Sequence, residues 1–163
     1  MLYRDSYLSY VVEFKENGEE LVPFCIGFDN EPFDEFLEKL RNLSNGFGIP
    51  SGFVPHSTFW LIDDEQVVAV SNLRHQLTES LRREGGHIGY SVRPSMRKRG
   101  YGRAVLKITL EMAASMGIQE VLITCESTNP GSIGVILANG GVFDSEEYLP
   151  EIKGVINRYW ISI

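Results

Sequence analysis

Val92-Arg93-Pro94-Ser95-Met96-Arg97-Lys98-Arg99-Gly100-Tyr101-Gly102-Arg103 is the stretch on which the reading of this chain turns. It joins a strand end, a basic turn and a glycine-rich helix start in one run. Proline cannot continue a sheet ladder, so the strand predicted over His87 to Val92 ends at Arg93-Pro94. Gly100 and Gly102 let backbone N–H groups approach an anion without a side-chain clash, and the positive end of the following helix favours negative charge there. Arg97, Lys98, Arg99 and Arg103 add cations, so the run has the makings of a diphosphate cradle. The bland alternative is a solvated basic turn, since a lone Gly-x-Gly is weak evidence by itself.

Downstream, Val105, Ile108, Thr109, Met112 and Met116 recur at helical spacing from a start near Tyr101, and Gly117 supplies a left-handed stop. Val121 to Thr124 reads as a short buried strand. Asn129-Pro130 then opens a helix, as a cap and first-turn pair, that ends at Asn139-Gly140-Gly141. Strand, helix, strand, helix in this order predicts a parallel pair of strands at the centre. Strands near Val142 to Tyr148 and Val155 to Ile163 follow. Two other phosphate-binding motifs fit poorly. Val105 stands where a dinucleotide fingerprint has its third small residue, and no Gly-Lys-Ser/Thr triplet follows the glycines.

Upstream, Thr58 to Ile62 and Val67 to Leu73 flank Asp63-Asp64-Glu65-Gln66 and predict an antiparallel hairpin. Arg74 to Gly86 reads as a polar loop, and Ser44 to Ser57 as a long loop rich in glycine, proline and serine. Phe33, Phe36, Leu37, Leu40 and Leu43 mark one face of a helix from about Pro32 to Leu43, with Asp29 or Asn30 as its cap. A first helix is predicted between Asp5 and Asn17, stopped by Gly18.

The bulk properties agree with a folded domain of ordinary kind. At 163 residues, 43% hydrophobic and 23% charged, the chain has the length and composition for one core, and no repeat or linker divides it. A single domain over residues 1–163 is expected. The net charge of -7 repels nucleic-acid backbones overall, so no nucleic-acid partner is expected and any anion site must come from a local basic cluster. No apolar run reaches the roughly 20 residues of a membrane span, and Met1 to Asp5 lacks a signal-peptide layout, so no membrane partner and a cytoplasmic location are expected. Cys25 and Cys125 form no Cys-x-x-Cys pair, which fits reduced packing residues rather than a metal site.

With those residues in view, Arg97-x-x-Gly100-x-Gly102 after a strand ending in Val-x-Pro resembles the acetyl-CoA signature of the GNAT superfamily of N-acetyltransferases. Asn129-x-x-Ser132 at a helix start resembles the other cofactor-facing segment of that family. Gly85-Gly86-His87-Ile88-Gly89-Tyr90 and Arg158-Tyr159-Trp160 are similar to a bacterial subgroup of predicted acetyltransferases. The resemblance implies an α/β domain with a mixed central sheet, a splayed parallel strand pair and flanking helices. It implies acetyl-CoA as cosubstrate, no metal, a primary amine on a small molecule or peptide as acceptor, and a homodimer as a common state. By carry-over, backbone around Tyr90 and Val92 would hold thioester and pantetheine. Arg97, Lys98, Arg99, Gly100, Tyr101, Gly102 and Arg103 would receive the diphosphate, with Asn129 and Ser132 at the pantetheine side.

Acetyl transfer needs a neutral amine, a polarised carbonyl and a proton for the leaving thiolate. The N–H of Tyr90 is the expected oxyanion donor. His87 is the first candidate base, because imidazole titrates near neutral pH, with Glu84, Glu126 and His75 behind it. A plain hydrogen bond within the sheet is the competing account of His87. Many family members place an acidic tyrosine where this chain has Leu137, leaving Tyr148 or Tyr159, or water, as proton source. The alternative class is an acyl-CoA-binding domain without turnover, and a nucleotide-binding module is a third. The resemblance places the acceptor side at Phe24 to Ser57 and Glu146 to Tyr159. Phe47, Ile49, Phe53, Pro50 and Pro55 offer an apolar wall there. Asp144, Glu146, Glu147 and Glu151 offer charge for a cationic amine.

Overall fold

The structure, a computed structural model, describes residues 2–27 and 32–163. In chain order its elements are α1 (Arg4–Glu16), α2 (Phe33–Ser44), β1 (His56–Asp63), β2 (Gln66–Arg74), α3 (Glu79–Arg83), β3 (Ile88–Val92), α4 (Tyr101–Ser115), β4 (Glu120–Glu126), α5 (Pro130–Ala138), β5 (Val142–Leu149) and β6 (Gly154–Ser162), with short 3₁₀ turns at Phe24–Gly27 and Pro94–Met96. The expected cap of α2, Asp29 or Asn30, lies outside the described residues. The described helix starts after Pro32.

β2 explains how the layers assemble. Its residues Val67 to Leu73 are all buried, and consecutive side chains of a strand point to opposite faces. Ser71 Oγ meets Thr109 Oγ1 of α4 at 2.7 Å. Val70, one residue earlier, packs with Tyr7, Tyr10, Val11 and Phe14 of α1 and Phe36 of α2. Thus α4 covers one face of the strand and the first two helices cover the other, which is why the strand reads as a continuous apolar run. The buried set on α1 follows the i, i+3, i+4, i+7 stripe of an amphipathic helix. Trp60 of β1 stacks on Tyr7 with ring centroids 4.5 Å apart.

The predicted hairpin is present. β1 and β2 pair antiparallel through a two-residue turn at Asp64 and Glu65, whose φ values of 45° and 61° are the positive pair a tight hairpin twist demands. β3 pairs antiparallel with the other edge of β2. The second sheet has the order β4-β6-β5. Its strands β4 and β5 both run antiparallel to β6. Under it, Leu106, Leu110 and Ala113 of α4 join Val121, Ile123, Ile136, Tyr159 and Ile161 in a second buried cluster.

The expected α/β architecture with flanking helices is present; its strands form two antiparallel three-stranded sheets, and no ladder joins β3 to β4. The sheets meet where the His87 N–H donates to Leu122 O at 2.7 Å and the Leu122 N–H donates to His87 Nδ1 at 2.9 Å. The stretch read as loop between β2 and β3 holds a short helix, α3, capped by Thr78, whose hydroxyl accepts the Leu81 N–H at 3.1 Å. Among the described residues, no helix is long and apolar enough to cross a membrane. Cys25 and Cys125 are buried free thiols.

Candidate functional site

The seam between the sheets opens beyond His87. At the ends of the β2–β3 ladder, the Arg74 N–H donates to His87 O at 2.8 Å and the Arg93 N–H donates to Val68 O at 2.9 Å. Bonded and unbonded positions alternate along an antiparallel ladder, so the backbone of Gly89 and Ser91 faces β2 and that of Tyr90 and Val92 faces the seam. On the opposite side, the Ser127 N–H donates to Val155 O at 2.8 Å and the Ile163 N–H to Gln119 O at 2.9 Å. The same alternation turns Leu122, Thr124 and Glu126 away from β6, toward His87 and β3. Among the described residues, the His87–Leu122 bond is the one backbone bond across the seam. Past it, two strands present unpaired backbone edges to each other, a slot able to take an extended amide chain by strand addition.

The basic turn lies at the exit of that slot. Gly100 is the N-cap of α4, in the left-handed region at φ 86°, and a Cβ on it would meet nothing within 4 Å. The space where its side chain would stand is open. Gly102 has a different reason to be glycine. A Cβ there would stand 3.0 Å from Val135 Cγ2 and 3.6 Å from Val92 Cγ2, so its smallness lets α4 close on α5 and β3. Arg97 is turned to the first helix, paired with Glu19 at 2.5 Å and stacked over Phe14 at 5.5 Å. Tyr101 donates its hydroxyl to the Asp63 carboxylate, which raises its pKa. Lys98, Arg99 and Arg103 are exposed and have no ion pair among the described residues, leaving three cations around the open glycine.

Tyr90 and Ser132 form the wall of the slot toward α5. The Tyr90 Oη lies 3.0 Å from Ser132 Oγ, and burial pushes its pKa up to about 12, so the phenol stays protonated. Asn129 Oδ1 accepts the Ser132 N–H at 3.0 Å, which is an N-cap bond. Removing it in Asn129→Ala is expected to cost about 1 kcal/mol, read as a lower denaturation midpoint at unchanged slope. A loss near zero would mean that the cap does not anchor α5.

His87 is corrected as a base. Its ring is 7% exposed, and the Nδ1 lone pair already accepts the Leu122 N–H. In the neutral ring Nε2 then carries the proton, and no lone pair is left to take another. Burial, helped by Arg82 and Arg74, lowers its pKa to about 4. The ring fastens the two sheets. Tyr148 is 59% exposed on β5, where it pairs with Val155. Tyr159 is buried, its Oη accepting from Asn157 Nδ2 at 3.3 Å. Leu137 stands on the exposed face of α5. Among the lower-ranked bases, His75 Nε2 lies 2.9 Å from Ser57 Oγ, and Glu126 Oε2 accepts from Thr128 Oγ1 at 3.3 Å.

On the side of the early helices lie two adjoining cavities. The larger, of 450 Å³, has Phe24, Phe47, Pro50 and Phe53 in its wall, with Glu35 and Glu38. The smaller, of 230 Å³, includes Phe24, Phe53, His56 and Arg74. Phe47, Pro50 and Phe53 thus do line a cavity. Glu147 does not serve one of these: it is held by Arg83 at 2.7 Å and Arg158 at 2.6 Å, pairs that keep its carboxyl below the usual range. His56 was missed in sequence. Its Nδ1 sits 2.7 Å from Asn72 Nδ2, and burial lowers its pKa to about 4. A lone histidine before a strand carries no signal of this; only the β1–β2 register brings His56 near Asn72.

A family model described as acetyltransferase (GNAT) matches residues 19–140. Similar solved structures include the ribosomal-protein-S5-alanine acetyltransferase from Vibrio fischeri, 13% identical, at TM-score 0.68 over 97% of this chain and 88% of that one. The microcin C7 self-immunity acetyltransferase MccE, in complex with acetyl-CoA and AMP, is 15% identical at TM-score 0.68 over 99% of this chain and 87% of that one. A structure described as a probable acetyltransferase is 17% identical at TM-score 0.54, and the chain spans 62% of its length and 66% of its own. At such identities the likeness is one of fold. No curated protein matches the chain by sequence.

Proposed function

The chain belongs to the acetyltransferase (GNAT) family, and on that premise we propose that it is a single acetyltransferase unit over residues 1–163 that moves the acetyl group of acetyl-CoA to a primary amine. The observation that carries this reading is the slot: unpaired backbone of Tyr90 and Val92 faces that of Thr124 and Glu126, with a left-handed glycine and three exposed cations, unpaired among the described residues, at its exit. The residues present fit the cosubstrate. The pantetheine arm is a chain of amides, for which the seam edges of β3 and β4 are partners. Its diphosphate is an anion, for which the Gly100 turn with Lys98, Arg99 and Arg103 is a partner. Arg97 acts at one remove in this reading, holding the turn to Glu19 and Phe14.

Acetyl-CoA supplies an activated acyl carbon on a thiol leaving group. In the transfer, a C–N bond forms to the acceptor amine, the C–S bond breaks, and CoA leaves as a thiolate that takes up a proton. The seam-facing N–H of Tyr90 is placed to donate to the carbonyl oxygen as negative charge develops there, with no reorganisation. With His87 engaged, the amine loses its proton to solvent. Tyr148, exposed on β5, is the candidate proton source for the thiolate, and the demand on it is small, because a thiol pKa of about 8.5 makes the leaving group stable near neutral pH. The MccE structure binds acetyl-CoA, which supports the cosubstrate assignment.

Thermal denaturation with and without acetyl-CoA tests the reading. A ligand at a hundred times its Kd adds about 2.7 kcal/mol to folding, which at about 2–4 °C per kcal/mol for a chain of this size gives a rise of about 5–10 °C. ATP and NAD are expected to give none. No rise at saturating acetyl-CoA would return the basic turn to ordinary surface. A rise without CoA release on any amine would make the protein an acyl-CoA-binding module, the reading that Leu137 in place of tyrosine favours.

A further inference from the structure

Arg74 closes β2 with its guanidinium in the wall of the 230 Å³ cavity. Its Nη1 donates to Gly85 O at 2.6 Å and to Gly86 O at 3.1 Å. Its Nη2 lies 3.7 Å from where a Cβ on Gly89 would stand, so the group lies over β3 one residue before Tyr90. Among the described residues, the arginines at positions 4, 83, 93, 97 and 158 each have a carboxylate partner. Arg74 has none among the described residues, and no acidic side chain lines its cavity. A cation held largely out of water without a counter-charge is costly. The N–H groups of its Nε and Nη2 edge bond no described residue. That edge is the fork which receives a carboxylate in two parallel hydrogen bonds.

We propose that Arg74 binds a carboxylate of the acceptor, and that the acceptor is an amino acid or a close relative in which amine and carboxylate are separated by few bonds. The inference rests on the acetyl-transfer reading above for the position of the amine, which must reach a carbonyl at Tyr90. Because Gly89, under the guanidinium, adjoins Tyr90 in β3, a carboxylate on Arg74 leaves room for only a short spacer to the amine. Phe24 and Phe53 in the cavity wall put apolar surface beside the pair, which strengthens it relative to water. An acceptor with several positive charges and no acid would meet Arg74 as a repulsion.

The test compares alanine and phenylalanine with their carboxamides, as acceptors in a thiol-release assay and as ligands followed by NMR at the Gly85 and Gly89 amides without acetyl-CoA. Each acid is expected to show a KM about 10- to 100-fold below that of its amide, the range of a charge-assisted bond pair. Arg74→Gln is expected to erase that difference while leaving the KM for acetyl-CoA unchanged, and Arg74→Lys to restore part of it. Equal KM values and equal NMR responses for acid and amide in the wild-type protein overturn the proposal without reference to any variant. Tighter response to phosphoethanolamine than to either amino acid overturns the carboxylate assignment. Should acetyl-CoA fail to bind, the transfer reading falls, while the NMR comparison still decides whether Arg74 holds a carboxylate.

Discussion

Gly86→Ala is expected to lower the melting temperature by about 10 °C. Gly86 has φ 60°, and a Cβ built on it would stand 2.4 Å from Leu122 O and 3.0 Å from Leu122 C. Two costs add. A side chain in the left-handed region costs about 1–2 kcal/mol. Forcing a methyl against a backbone carbonyl costs about 1–3 kcal/mol more, because β4 is itself held by β6 and cannot retreat. At about 2–4 °C per kcal/mol for this size, the sum reaches the stated shift. Gly100→Ala supplies the control: it has a similar φ of 86° but nothing within 4 Å of the added carbon. It is expected to pay only the conformational cost, about 1–2 kcal/mol. Equal losses for the two variants would show that the seam at His87 and Leu122 is not tight, and would remove the structural reason for a slot that opens only beyond it.

Arg93→Met is expected to cost about 3–5 kcal/mol, measured by denaturant unfolding. Arg93 is buried, and its guanidinium is spent on four partners: Val67 O at 2.9 Å, Glu13 Oε2 at 3.2 Å, Ser6 O at 2.8 Å and Ser9 Oγ at 3.1 Å. It also lies 5.6 Å over the Tyr10 ring. One side chain therefore ties α1 to the end of β3, just before the basic turn. Methionine fills the volume but leaves the Glu13 carboxylate, whose side chain is 22% exposed, without its cation. Adding Glu13→Gln to Arg93→Met is expected to recover part of the loss, since it removes the stranded charge. A loss under about 1 kcal/mol for Arg93→Met would mean the pair behaves as an exposed one and does not anchor the turn.

Much of the architecture was legible because it is written locally. Two β-branched runs around a short acidic stretch mark the hairpin by composition, while Gly117 marks the end of α4 and Asn129-Pro130 the start of α5 through the backbone preference of the residues themselves. The motif at Arg97 to Arg103 was legible from its glycines and cations and through its resemblance to the family signature; the left-handed φ of 86° at Gly100 is what the structure adds. The parallel pairing expected from alternating strands and helices was a statement about partners, and partners are non-local. The ladders that form, β1-β2-β3 and β4-β6-β5, bring together strands that no local backbone preference pairs.

The same division runs through the site. From the sequence alone came the family signature, the strand that carries Tyr90 and Val92, and the cations beside Gly100, most of it within the run from His87 to Arg103. What only the tertiary structure decided is what each side chain is already doing. His87 looks like a base in sequence, and its lone pair proves to be taken by an amide 35 residues away. Arg97 looks like a phosphate ligand, and it is paired with Glu19, 78 residues before it. Arg74 looks like the end of a strand, and it is a half-buried cation without a carboxylate among the described residues. A residue type states which bonds a side chain can make, and backbone preference states where a turn or cap can fall. Which of those bonds remain unmade for a ligand depends on contacts between distant segments, and these exist only once the sheets have met.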